Sequence, residues 1–142
     1  MGIGKRLKEE YEGFKIVAIE PDKMPLISQG KILGSHKIEG IGDDFIPDLV
    51  DKKAIDDILL INDDDAINMS RILANELGLG VGISSGANLI GSILLNEKND
   101  KPTVTVFADD NKKYLTTDLS KEVDKNSAFI SNNIKLLDYE IL

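Results

Sequence analysis

The sequence contains no cysteine and only one histidine, His36. Without thiols the chain has no disulfide, no thiolate metal site and no cysteine nucleophile. A two-histidine metal site or a serine-histidine-aspartate triad would have to be built around that single imidazole. Most hydrolase mechanisms are therefore disfavoured. The remaining chemistry is that of serine, threonine, lysine, carboxylates or a bound cofactor.

Positive charge and long apolar runs are also scarce. Lysine and arginine number 17 against 25 acidic residues, giving a net charge of −8, and the only arginines are Arg6 and Arg71. This charge balance disfavours a nucleic-acid partner. No apolar run reaches the roughly 18 to 20 residues of a membrane-spanning helix, and the first ten residues lack the apolar core of a signal peptide. We therefore expect one cytoplasmic domain of 142 residues without membrane contact.

The apolar residues predict strands that alternate with helices. Helices are predicted at residues 2–10, 64–77 and 87–96, and strands at residues 14–20, 57–62 and 103–108. Residues 23–47 are predicted to form a long loop with one extended piece at 37–41, and residues 51–56 and 114–119 short turns. This order is typical of an α/β fold with a mostly parallel sheet, which binds ligands beyond the carboxyl ends of its strands.

Three short segments lie where such a sheet binds ligands. They are the glycine loop Gly40, Ile41 and Gly42, the serine pair Ser84 and Ser85, and the acidic strand end at residues 109–111. The serines precede a predicted helix, where they either face a polar or anionic ligand or simply cap the helix. The glycines either let backbone amides approach a carboxylate or only shape a turn. His36 is interpreted as a loop residue rather than a general base, and residues 63–65 as a helix start.

Several motifs in this order resemble one enzyme family. HKIEGIGDDFIP at residues 36–47, GLGVGISSGAN at 78–88 and VFADDNKKYLTTDL at 106–119 resemble the carboxyl-terminal half of cysteine synthase, the pyridoxal-phosphate-dependent O-acetylserine sulfhydrylase. GIGKRLKE and VAIEPD nearer the start agree with it. The resemblance covers about residues 2–119 and leaves 120–142 as a tail. It implies a three-layer, tryptophan synthase β-like fold (fold type II) and pyridoxal 5'-phosphate as cofactor.

The resemblance also implies roles for individual residues. Ser84 matches the serine whose hydroxyl hydrogen-bonds the pyridine nitrogen of the cofactor, and a neutral hydroxyl there suits elimination better than transamination. Gly40, Ile41 and Gly42 match the loop that faces the substrate. The implied reaction replaces the acetate of O-acetylserine with sulfide. The implied assembly is a homodimer, and the implied protein partner is serine acetyltransferase.

Two features depart from the family pattern. Asp43 and Asp44 replace the commoner pair of small residues and resemble cystathionine β-synthase relatives, which leaves sulfide and homocysteine both open as second substrate. In the family, the Schiff-base lysine, an asparagine loop and a glycine-threonine phosphate cradle all precede the helix with which this chain begins. We therefore expect a fragment without a catalytic residue of its own. The alternative from another class is a noncatalytic module that dimerises or docks on another protein.

Overall fold

The computed structural model describes residues 2–99, 101–121 and 128–140. The helices and strands are α1 (Gly2–Glu10), β1 (Val17–Pro21), α2 (Leu26–Gln29), β2 (Asp57–Ile61), α3 (Asp63–Leu77) and α4 (Ile83–Asn99). Short 3₁₀ helices cover Lys52–Ala54, Asn111–Tyr114, Asp118–Ser120 and Ile130–Asn133. The predicted helix at residues 2–10 is confirmed, and the one at 64–77 is confirmed with one added residue. The turn predicted at residues 51–56 is confirmed, whereas α2 was not predicted.

The two strands pair in parallel. Val17 lies opposite Asp57, and Pro21 lies opposite Ile61 at the carboxyl ends. Just beyond these ends the side chain of Asn62 donates a hydrogen bond of 2.9 Å to the carboxylate of Asp22. Both strands begin or end within three residues of their predicted bounds. The predicted α/β fold with a parallel sheet is confirmed.

The strand predicted at residues 103–108 is wrong for the described part of the chain. This segment has no ladder partner there, and its apolar side chains are exposed, Val104 by 77% and Val106 by 53%. The prediction was supported only by the local pattern of β-branched and apolar residues. A strand also needs a neighbouring strand with free backbone groups. The extended piece predicted at 37–41 is wrong too, because Gly40 turns the chain with a φ of 88°.

Helices α3 and α4 form the main contact of the core. Asn62 caps α3 by accepting from the amides of Asp64 and Asp65, and Gly78 ends it with a φ of 71°. The helices cross closely at Gly86, where an added Cβ would lie 2.2 Å from the carbonyl oxygen of Ala66. Fully buried apolar side chains around this crossing complete the core, namely Ile38, Ile61, Ile67, Met69, Ile83, Ala87, Ile90 and Tyr114.

Helix α4 begins four residues earlier than the predicted helix at 87–96. Glycine and serine at residues 82–86 favour a turn by their own propensities. In the structure Ile83 and Ala87 are buried against α3, and this packing outweighs the local preference. Ser84 and Ser85 consequently lie in the first turn of α4 instead of in the turn that precedes it.

The polar tail is attached to α3 by the buried carboxylate of Asp65 and by the side-chain amide of Asn68, which donates to Ser131 at 2.9 Å and to Asn132 at 3.0 Å. Asp65 accepts hydrogen bonds from the amide groups of Ile130 at 2.8 Å and Ser131 at 3.0 Å. Ile134 and Leu136 then pack against the core. Residues 122–127 and 141–142 of the predicted tail lie outside the described residues. Among the helices that are described, none has the length and apolar character to cross a membrane.

Candidate functional site

The three predicted ligand-binding segments lie together in the structure. The amide of Gly82, next to the start of α4, donates to the carbonyl oxygen of Asp109 at 3.0 Å. Lys113 joins this pair to the glycine loop, because its Nζ lies 3.9 Å from a carboxylate oxygen of Asp109 and 3.8 Å from one of Glu39. Glu39 directly precedes Gly40. The glycine loop, the start of α4 and the segment after residue 108 therefore form one candidate site.

Ser84 occupies a buried position at the start of α4. It is the second residue of the helix, so it lies inside the first turn and is not the residue that precedes the helix as its cap. In the part of the chain that the structure describes, no group forms a hydrogen bond with its hydroxyl. A buried serine normally has a partner. The Ser84 hydroxyl is thus available to a ligand.

Asp109 is held by Tyr114 on one side and faces Gly82 on the other. The Tyr114 hydroxyl donates a hydrogen bond of 2.6 Å to Oδ2 of Asp109. Burial first, and then this bond to a carboxylate, raise the pKa of Tyr114 above its ordinary value. Oδ1 of Asp109 would lie only 2.0 Å from a Cβ added to Gly82, so glycine is needed there. This Oδ1 and the hydroxyl of Ser85 are buried without a hydrogen-bond partner among the described residues.

The glycine loop is pressed against the carboxyl end of β1. Gly42 has a φ of 72°, and a Cβ there would lie 2.6 Å from Pro21 and 2.9 Å from Nε2 of His36. Ile41 packs against the core, whereas Gly40 is exposed, with no heavy atom within 4 Å of an added Cβ. The loop therefore has one anchored side and one open side. Such an arrangement lets a ligand approach the backbone closely.

The other sequence candidates hold the structure around this site. Asp63, in the acidic helix start, is fully buried and accepts from the ammonium of Lys23 at 2.7 Å and the amide of Lys37 at 3.0 Å. The bond to Asp63 raises the pKa of Lys23. Asp43 and Asp44 are exposed beside the glycine loop. Within the described ranges, histidine, aspartate and glutamate form no group of three that could hold a metal ion.

Sequence reasoning missed two members of the site, Lys113 and Tyr114. Both lie within the family-like motif at residues 106–119, of which only the acidic strand end at residues 109–111 was predicted to face a ligand. Lys113 also lies over the ring of Tyr114, 5.1 Å from its centroid. The contacts of Lys113 and Tyr114 with Asp109 are close in sequence, whereas the contact of Lys113 with Glu39 joins distant segments and could not be found from a local pattern.

Comparison with known proteins assigns the chain to a family. Residues 1–109 match the family described as pyridoxal-phosphate dependent enzyme. The chain belongs to the pyridoxal-phosphate-dependent enzymes. This membership fits the α/β fold and the carboxyl-end location of the candidate site described above. It also confirms the family resemblance inferred from the motifs, and with it the family's cofactor, pyridoxal 5'-phosphate.

Three relatives show which members of this family the chain is similar to. Cysteine synthase B of Campylobacter jejuni is 46% identical over 119 residues, which cover 83% of this chain and 39% of that protein. The structure of a hydrogen sulfide-producing enzyme from Fusobacterium nucleatum is 50% identical with a TM-score of 0.87, covering 94% of this chain and 40% of that one. The cysteine synthase structure from Entamoeba histolytica is 36% identical with a TM-score of 0.81, covering 89% and 38%.

These relatives establish two facts about the chain. Its structural neighbours have the tryptophan synthase β-like fold, fold type II, which confirms the predicted fold class. The chain spans about two-fifths of the length of the relatives that it matches.

Proposed function

We propose that this chain is the carboxyl-terminal part of a cytoplasmic cysteine synthase that converts O-acetylserine and sulfide into cysteine and acetate. The identity to the Campylobacter enzyme supports this substrate class. The observation that carries the proposal is the hydroxyl of the largely buried residue Ser84, which has no hydrogen-bond partner in the described part of the chain. When bound, pyridoxal phosphate withdraws electrons from the α-carbon of an amino acid so that a β-substituent can leave.

Ser84 is the residue that we assign to the cofactor. Its hydroxyl has the right chemistry for a pyridine nitrogen, because it is a neutral group that can both donate and accept. The backbone of α4 fixes it rigidly, since Gly86 allows α4 to pack directly on α3. A rigid neutral partner holds the ring without forcing it to stay protonated. That property suits β-elimination and addition of a second nucleophile.

Gly40, Ile41 and Gly42 are assigned to the substrate. The positive φ angles of both glycines and the exposed position of Gly40 leave the backbone amides of this loop accessible. Backbone amides are suitable donors to acceptor atoms of an amino-acid substrate that this loop faces. The anchored side of the loop, at Gly42 and Ile41, keeps these donors in place.

The test supplies the part of the enzyme that this chain does not match. The chain is mixed with pyridoxal phosphate, O-acetylserine and sulfide, alone and after co-expression with the region of the Campylobacter enzyme that precedes the matched 119 residues. We expect no cysteine formation and no lysine-bound cofactor spectrum from the chain alone, because no lysine of this sequence has the Schiff-base context. We expect activity from the pair.

Two results would contradict the proposal. Borohydride trapping of cofactor on one specific lysine of the isolated chain would show that the catalytic amine lies here. A folded, co-purifying pair without activity would favour the noncatalytic interaction module instead. Size measurement of the active pair, with and without serine acetyltransferase, tests the proposed homodimer and that partner.

Hydrogen sulfide production is a second candidate reaction. It is supported by the Fusobacterium relative, which is 50% identical and is a hydrogen sulfide-producing enzyme.

The exposed carboxylates of Asp43 and Asp44 beside the substrate loop suit a second substrate larger than sulfide, such as homocysteine. The active pair is therefore given O-acetylserine with sulfide, O-acetylserine with homocysteine, and cysteine alone. The substrate set with the highest kcat/KM identifies the reaction.

A further inference from the structure

The single histidine of the chain closes the glycine loop through both of its ring nitrogens. Nε2 of His36 lies 2.7 Å from the carbonyl oxygen of Gly42, and the amide of Ile38 donates to Nδ1 at 3.2 Å. A carbonyl oxygen can only accept and an amide N–H can only donate. These two partners therefore assign the neutral tautomer with its proton on Nε2.

The contacts around the ring show why this tautomer matters for the loop. Ile38 is fully buried in the core, so one end of the loop is fixed. Gly42, at the other end, is enclosed between the ring of His36 and Pro21 of β1, with no room for a Cβ. The Nε2 proton fixes the direction of the Gly42 carbonyl within this enclosure. The peptide groups of Gly40 and Ile41 lie between these two fixed points.

We propose that His36 is the positioning residue of this loop: as the Nε2–H tautomer it holds the carbonyl of Gly42, so that the amides of residues 40–42 keep one orientation toward the substrate. The inference rests on the proposed function for the substrate role of the loop. The hold on the loop itself is independent of that function. Donors that are fixed before binding lose less entropy when the substrate arrives, so the effect belongs to substrate affinity.

Two substitutions separate the two ring nitrogens. Glutamine places an amide nitrogen near the position of Nε2, so His36→Gln retains a donor for Gly42. Asparagine places an oxygen near the position of Nδ1, so His36→Asn retains the acceptor for Ile38 and loses the bond to Gly42. The two variants have similar polarity, which makes each the matched control of the other. A melting curve for each shows that both are folded.

The first measurement uses the chain by itself. Because His36 is the only histidine, ¹⁵N labelling of histidine gives imidazole signals that need no further assignment. We expect a protonated Nε2 and an unprotonated Nδ1 in the native chain. Hydrogen exchange of the segment at residues 38–44 should be about fivefold faster in His36→Asn and near the native rate in His36→Gln. A proton on Nδ1, or equal exchange in the two variants, would overturn the inference.

The second measurement uses the active pair described under the proposed function. We expect His36→Asn to raise KM for O-acetylserine about fivefold with kcat little changed, and His36→Gln to restore KM. A general loss of stability would instead reduce activity in both variants, without the predicted difference in KM between asparagine and glutamine. If the tautomer and exchange results hold but KM stays constant, the positioning inference stands and the substrate role of the loop fails. An increase in KM that glutamine does not restore counts against His36.

Discussion

At the scale of single residues, the two adjacent serines of α4 have different surroundings. The Ser84 hydroxyl has no partner among the described residues but is not sealed from solvent, whereas the Ser85 hydroxyl is fully buried without a partner. Removing a buried unpaired hydroxyl costs the fold nothing, because no hydrogen bond is lost. Ser85 therefore serves as an internal control for Ser84.

We expect Ser84→Ala to leave the melting temperature nearly unchanged while slowing single-turnover elimination of O-acetylserine by the active pair. In the proposed cofactor role, the pyridine nitrogen would lose its partner, whereas the fold loses no hydrogen bond. Ser85→Ala should leave elimination unchanged. Ser84→Asp should shift the absorption spectrum of the cofactor, since a carboxylate favours the protonated ring.

The opposite pattern would identify Ser84 as a structural residue. If Ser84 only stabilised the helix end, Ser84→Ala would cost about 0.5 to 2 kcal/mol of unfolding free energy and spare the chemistry. Elimination that is unchanged in both Ser84 variants refutes the cofactor role.

At the scale of the elements, the sequence predicted what local chemistry decides. The bounds of α1 and α3 follow from apolar periodicity to within one residue. The start of α4 was missed because packing on α3 overrides the turn preference of glycine and serine. The strand at 103–108 was wrong because strand formation depends on a distant partner. In the candidate site, the motifs named Ser84 and the glycine loop, but the Lys113 link to Glu39 is visible only in the fold.

The attachment of the tail to α3 gives an element-scale prediction. Asp65→Ala removes the acceptor of two amide hydrogen bonds, and we expect a loss of about 1.5 to 3 kcal/mol in unfolding free energy, since hydrogen bonds to charged groups are the stronger ones. Urea unfolding measures this loss, and proteolysis near residues 128–136 should become faster.

The matched control is the neighbouring Asp64, also in the first turn of α3. It is half exposed and pairs with Lys37, so Asp64→Ala should cost less than about 1 kcal/mol. Equal losses in the two variants would show that helix charge, and not the tail contact, accounts for the stability.

At the scale of the whole molecule, acidic groups in excess are partly neutralised by lysines, of which Lys37 joins distant segments. Lys37 pairs with Asp64 of α3 at 2.8 Å and with Asp118 at 2.9 Å, and Lys121 pairs with Asp118 at 2.8 Å. These two lysines, Lys121 first, lower the pKa of Asp118 from 3.8 to about 2. The carboxylates of Asp64 and Asp118 raise the pKa of Lys37. The ion pairs therefore stabilise the folded chain at neutral pH.

These shifts predict how the chain responds to acid. A carboxyl group with a lowered folded pKa contributes stability above its ordinary pKa and loses that contribution as the pH falls through the folded pKa. We expect the urea midpoint to fall between about pH 4 and pH 2, and to fall less in Asp118→Asn. Asp138→Asn, at an exposed carboxyl with no lysine pair among the described residues, is the control. The same acid dependence in all three proteins would refute the role of Asp118.

The exposed segment at residues 103–108 gives a prediction for the state of the chain in solution. Val104 and Val106 are exposed on a segment without a ladder partner in the described structure, and exposed apolar side chains of this kind favour association. We expect the chain by itself to sediment as larger species as its concentration rises, despite its charge of −8. Val104→Lys and Val106→Lys should reduce this association, because a charged edge opposes pairing. Leu137→Lys is the control, because Leu137 is an apolar side chain of similar exposure, 82%, outside this segment. We expect this variant to associate as the native chain does. A native chain that remains monomeric at high concentration would show that this segment does not cause self-association.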